Sequence, residues 1–92
     1  MPELPYLQSM IAESHYAGVE LQITDLTLAH TFLDRASTSL DTETIERNHR
    51  RAREAYESIV HFLSTLHATL EQQARIDAQL PQLKARLDAA LA

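Results

Sequence analysis

Residues 7–33 carry two separate stripes of apolar side chains, and this double pattern constrains the fold more than any other feature of the chain. At about 100° per residue, the two stripes fall on nearly opposite sides of one helix. The first stripe consists of Leu7, Ile11, Gly18, Leu21, Leu28 and Phe32. The second consists of Ala12, Tyr16, Val19, Ile23, Leu26 and Leu33. A helix with two apolar sides must be packed on both, either by other helices of the chain or by a second protein.

The composition favours an all-α fold in a single domain that spans residues 1–92. The chain holds one Gly and three Pro, so it has few of the residues on which tight turns and β-hairpins depend. Ala, Leu, Glu, Gln and Arg are abundant, and all of them are strong helix formers. We therefore predict helices at approximately 6–36, 41–67 and 71–91.

The second helix has the clearest start signal. Asp41 is placed to cap the first turn, and Leu40 and Ile45 have the spacing of a hydrophobic staple. The helix then repeats every seven residues, as in the seam of a helical bundle. Its two interleaved sets are Ile45, Ala52, Ile59 and Leu66, and His49, Tyr56, Leu63 and Leu70.

The apolar pattern changes phase after residue 70, and the next stripe consists of Ile76, Leu80, Leu83, Leu87 and Leu91. Either the chain turns near residues 67–70, or one helix continues through a stammer. Thr69 and Gln72 have the spacing of a capping box, which favours the turn. Pro81 predicts a kink in the third helix or a split into two segments.

These patterns predict a small three-helix bundle with a long N-terminal helix. We expect the second stripe of helix 1 to be covered either by helix 3 or by another chain, and we favour a homodimer that forms a larger bundle. The predicted core consists of Leu7, Ile11, Leu21, Leu28, Phe32, Ile45, Ala52, Tyr56, Ile59, Leu63, Leu66, Ile76, Leu80, Leu83 and Leu87.

The net charge and the N-terminal sequence restrict the classes of partner and the location that we expect. The net charge of −5 disfavours binding to nucleic acid and to anionic lipid. The basic run of Arg47, Arg50, Arg51 and Arg53 is interleaved with glutamates, so that segment is close to neutral. The N-terminal residues lack the basic start and apolar run of a signal peptide, and no stretch has the length of a membrane span. We therefore expect a cytoplasmic protein.

Few residues have the spacing of a chemical site. Glu46 and His49 form one Glu-x-x-His pair, a motif that supplies metal ligands in bundles when two such pairs and further carboxylates meet. Glu57 and His61 lie one turn apart on the polar side of helix 2, where no pocket is expected. The chain contains no phosphate-binding loop and no nucleophile motif. We expect no enzyme activity and no cofactor.

The sequence thus favours a protein–protein interaction module that binds itself or another helical partner. The expected interface is the second stripe, with His30 as a site where protonation would weaken the contact. Its residues are Tyr16, Val19, Ile23, Leu26, His30 and Leu33. The alternative is a metal- or ligand-binding bundle that uses Glu46 and His49.

Overall fold

The computed structural model describes residues 3–91, with side chains for residues 6–90, and contains three helices. They are α1 (Glu3–Thr38), α2 (Thr42–Leu63) and α3 (Leu70–Leu91), and no strand occurs among the described residues. The predicted all-α three-helix bundle is confirmed. Met1, Pro2 and Ala92 of the predicted domain, and the side chain of Leu91, lie outside the described part.

Contacts between the helices define their directions. Near its C-terminal end α1 contacts the first half of α2, where the Arg51 guanidinium lies 6.0 Å from the centre of the Phe32 ring. Near the middle of α1, Gly18 lies against Leu66, just after α2 ends. Helix α2 is therefore antiparallel to α1. Helix α3 returns parallel to α1, because Arg75 pairs with Glu20 and Arg86 pairs with Asp34.

Helix α1 is much longer than its two neighbours and extends beyond them. Its 36 residues span about 54 Å, whereas the 22 residues of α2 or α3 span about 33 Å. Its first hydrogen bonds to the rest of the bundle are at His15, which accepts from the His67 backbone N–H, and at the Tyr16 carbonyl, which accepts from Gln72. All described side chains from residue 6 to residue 14 are exposed. We call residues 3–14 the overhang.

A side-chain cap fixes the start of α2. The Asp41 carboxylate accepts the backbone N–H of Thr44 at 3.2 Å and also the Thr44 hydroxyl. These hydrogen bonds, led by the one from the hydroxyl, lower the pKa of Asp41. The predicted cap is present, but the predicted staple is wrong, because Leu40 is fully exposed and cannot pack on Ile45.

The predicted turn between the second and third helices is confirmed by a reciprocal cap. The Thr69 backbone N–H donates to Gln72 Oε1, and the Gln72 backbone N–H donates to Thr69 Oγ1, both at 3.1 Å. The nearly buried Gln72 also donates from Nε2 to the Tyr16 carbonyl at 3.0 Å, which ties the start of α3 to α1. Helix α3 continues through Pro81, so the predicted split does not occur.

The core lies along one side of α1. At heptad spacing on that side, Val19, Leu26 and Leu33 are separated by the buried Gln22 and Ala29, and Ala36 follows. The alanines leave room for close approach of the neighbouring helices. The buried partners from the other helices are Ala52, Ile59, Ile76, Leu83 and Leu87.

The predicted role of the two stripes of α1 is reversed. Four residues expected in the core, Leu7, Ile11, Leu21 and Leu28, are 47–58% exposed, and Phe32 is only partly buried. The second stripe is buried instead. The reason is geometric: connections of three and six residues keep α2 and α3 side by side, so both cover the same side of α1. At Gly18 the Leu66 side chain approaches so closely that an added Cβ would lie 3.1 Å from it.

Two neighbouring leucines test which side of α1 is the core. Leu26→Ala removes a fully buried side chain and should cost about 2–5 kcal/mol of unfolding free energy. Leu28→Ala alters a side chain that is 47% exposed and should cost about 0.5 kcal/mol or less in dilute solution. Urea unfolding followed by circular dichroism measures both values. Equal losses for the two variants would contradict this assignment of the core.

The cap at Asp41 predicts a specific pH dependence. Its pKa is lowered by folding, so the carboxylate contributes stability above its unfolded pKa and loses that contribution as pH falls through the lower folded value. Because Asn also caps helices well, Asp41→Asn should lower the melting temperature only slightly at pH 7, through loss of the charge, and the difference from wild type should shrink below about pH 4. Glu57→Gln, in the exposed middle of α2, is the control. A difference that stays constant down to low pH would contradict the prediction.

Candidate interaction surface

The structure places most of the predicted interface inside the chain. Val19, Ile23, Leu26 and Leu33 are 0–4% exposed and pack against α2 and α3. They cannot contact a partner while the bundle is folded, so their assignment to an interface is corrected. Of the two alternatives for this stripe, coverage by the chain's own helices is observed. Tyr16, at the end of the stripe, remains 49% exposed.

His30, the sixth predicted interface residue, lies in the contact between α1 and α3. Its Nδ1 is 2.9 Å from Arg86 Nη1, and its Nε2 is 3.4 Å from the Gln79 carbonyl oxygen. Arg86 also donates to Asp34 at 2.7 Å. His30 therefore joins two helices of the same chain and does not form part of a free surface.

The opposite side of α1 is exposed and largely apolar. We define its outer face as the line of residues that recur at steps of three and four along the helix. Leu21 and Leu28 are 58% and 47% exposed, and Leu7 and Met10 are exposed to a similar degree. The complete outer face consists of Leu7, Met10, Ser14, Ala17, Leu21, Thr24, Leu28 and Thr31. No position in it carries a charged side chain.

The threonines of the outer face satisfy their own hydroxyls. Thr24 Oγ1 donates to the Glu20 carbonyl and Thr31 Oγ1 donates to the Thr27 carbonyl, each at 3.1 Å. A threonine bonded to the preceding turn of its own helix needs no further partner for its hydroxyl donor. These two positions are therefore compatible with an apolar contact.

Charged side chains border the outer face without entering it. Glu20 accepts two hydrogen bonds from Arg75, at 3.0 and 2.9 Å, and this interaction raises the pKa of the arginine. Glu13 lies beside the N-terminal half of the face, and the exposed Arg35 lies one turn beyond Thr31. The face thus has an acidic residue towards one end and a basic residue at the other.

Helix α2 also has an exposed aromatic side chain. Phe62 is 47% exposed and lies three turns after Arg51, on the side of α2 that contacts Phe32. Sequence reasoning did not assign Phe62, Met10 or Ala17 to a surface. The heptad spacing of the outer face is visible in the sequence. Because the buried stripe is equally regular, the spacing alone did not identify the outer face as the exposed one.

A shallow cleft opens where the overhang leaves the bundle. Its volume is about 360 Å³, and it is lined mainly by apolar atoms of Ile11, Ala12, Tyr16 and Ala68. The His15 and His67 rings meet edge to face in its wall, with 4.8 Å between their centres. No carboxylate lines it, so the cleft offers a second apolar contact region and no acid–base pair.

The predicted metal pair lies elsewhere, on α2. Glu46 and His49 line an open depression together with Arg50 and Arg53. Within residues 3–91, no group of three or more His, Cys, Asp or Glu side chains is arranged to hold a metal ion. Two ligands beside two guanidinium groups make a poor cation site, because protein metal sites rely on more ligands and on net negative charge.

Comparison with protein-family models, with curated proteins and with solved structures gives no match. None of the helices in the described part of the chain combines the length and continuous apolarity needed to cross a bilayer.

Zinc titration tests the pair on α2. One equivalent of Zn²⁺ should shift the melting temperature of neither the wild type nor His49→Ala, because the two arginines oppose a cation at this depression. A rise in the wild type that is lost in His49→Ala would show that the pair binds metal.

Proposed function

We propose that this protein is a small protein-binding helical module, without enzyme activity or a cofactor, and that the outer face of α1 is its binding surface. The observation that carries the proposal is the uncharged heptad line on α1, in which Leu7, Met10, Leu21 and Leu28 remain about half exposed. Large apolar side chains concentrated on one helix face are typical of sites that bind other proteins.

The apolar surface of this face contributes part of the energy that association requires. Four half-exposed side chains offer about as much apolar surface as two complete ones, so their burial contributes roughly 3–6 kcal/mol before the costs of association. A contact of this size favours reversible binding.

The spacing of the face favours a helical partner. Residues that recur every three and four positions match the groove of a second helix, whereas nucleic acid and anionic lipid require clustered basic residues. The face has no basic residue, and the chain has a net charge of −5. A cytoplasmic location, expected from the sequence, is part of this proposal.

A fluorescent apolar probe tests the surface directly. Anilinonaphthalene sulfonate should become fluorescent with about 1 µM monomeric wild type, and this signal should fall in the double variant Leu21→Glu/Leu28→Glu. The control is Leu70→Glu, which changes an equally apolar residue that is 93% exposed at the start of α3. Circular dichroism checks that all three proteins are equally helical.

The proposal fails if a wild-type sample shown by its mass to be monomeric gives no more probe fluorescence than the double variant. It is supported if the signal depends on Leu21 and Leu28 and is unchanged by Leu70→Glu.

A further inference from the structure

The chain exposes more surface than a compact protein of its size. Its accessible area is 6417 Å², whereas a monomer of 10.4 kDa is expected to expose about 5,400 Å². Its radius of gyration is 16.4 Å, compared with about 12 Å for a compact domain of this length. The excess of about 1,000 Å² is similar to the roughly 800 Å² that each partner contributes to a standard interface.

The overhang and the outer face that continues from it are part of the exposed surface. Leu7 and Met10 lie in the overhang, and Leu21 and Leu28 lie along the same line within the bundle. A partner that covers the whole line must therefore offer a helix at least about 36 Å long, the span from Leu7 to Thr31. A second copy of α1 has that length, and a two-fold axis would support both overhangs at once.

We propose that the outer face of α1 binds the same face of a second copy of this chain, with the two α1 helices antiparallel and the two-fold axis between Leu21 and Thr24. This inference rests on the proposed function and names its partner.

The antiparallel arrangement matches large residues with small ones. Leu21 lies opposite the partner's Thr24, and Ala17 lies opposite the partner's Leu28, so both leucines near the axis meet smaller side chains. Such alternation lets two helices approach closely. The bonded hydroxyls of Thr24 and Thr31 allow both threonines to be buried without losing a hydrogen bond.

Charge also favours the antiparallel direction. In this register Met10 faces the partner's Arg35, so Glu13, one turn away on the same helix, lies within reach of that guanidinium. In a parallel pair, Glu13 would lie beside the partner's Glu13, and Arg35 beside the partner's Arg35. Like charges at matched positions oppose association.

Sedimentation equilibrium tests the pairing. Wild type at about 200 µM should have twice the mass of the 10.4 kDa chain, and Leu70→Glu should behave in the same way. Leu21→Glu/Leu28→Glu should remain monomeric with unchanged helicity. Ala17→Arg is a second variant that deletes no apolar contact, and it should raise the dissociation constant at least a hundredfold. A wild type that stays monomeric at this concentration overturns the proposal.

Disulfide trapping tests the relative direction of the two α1 helices. Because the chain has no native cysteine, only the introduced cysteines can form disulfides. Ala17→Cys and Leu28→Cys chains, distinguished by a mass tag, are mixed and oxidised. The antiparallel dimer should form the disulfide between the two different chains. Disulfides that join identical chains instead overturn the arrangement.

Failure of this inference is distinguishable from failure of the proposed function. A monomeric wild type whose probe fluorescence depends on Leu21 and Leu28 would contradict the pairing with a second copy and support the outer face as a binding surface. A monomeric wild type without that fluorescence would contradict both the pairing and the proposed binding surface.

Discussion

The placement of α2 and α3 on the same side of α1 is the constraint on which the rest of the structure depends. It buries Val19 in one core cluster and Leu26 and Leu33 in a second, with Leu63 and Leu80 packed against both, and it leaves the opposite side of α1 without cover from its own chain. The short connections enforce it, because neither allows α2 or α3 to cross to the far side of the long helix. Both the stability of the fold and its free surface follow from this arrangement.

Polar groups hold the arrangement at its ends. Gln72 closes the capping box with Thr69 and also reaches the Tyr16 carbonyl, so one buried amide starts α3 and fixes it to α1. Near the other end, Arg86 joins His30 and Asp34 across the same pair of helices. Directional bonds at both ends limit sliding of α3 along α1, which apolar packing alone would restrain less.

The outer face and the core face of α1 have similar residue patterns, but only the core face is covered by the chain's own helices. Each is a line of uncharged residues at heptad spacing that includes several large apolar side chains. The core face is covered by two helices of the same chain, whereas the outer face combines half-exposed leucines with threonines that satisfy their own hydroxyls. This combination underlies our proposal that α1 has a partner on each side.

Local sequence signals determined the helical class, the cap at Asp41, the turn marked by Thr69 and Gln72, and the seam of α2 around Ala52 and Ile59. These features depend on contacts within a few residues or on the period of one helix, so the sequence contains them completely. The two stripes of α1 likewise predicted cover on both of its sides; α2 and α3 cover one side, and cover on the other side is part of our proposal.

Only the tertiary structure decided which side of α1 became the core. The stripe with Val19 and Leu26 and the stripe with Leu21 and Leu28 have similar apolar content, so hydrophobicity alone does not rank them. The choice depends on how side chains more than 30 residues away fill the spaces around Ala29 and along Gly18. Such packing complementarity depends on all three helices together, so it cannot be predicted from the apolar periodicity of α1 alone.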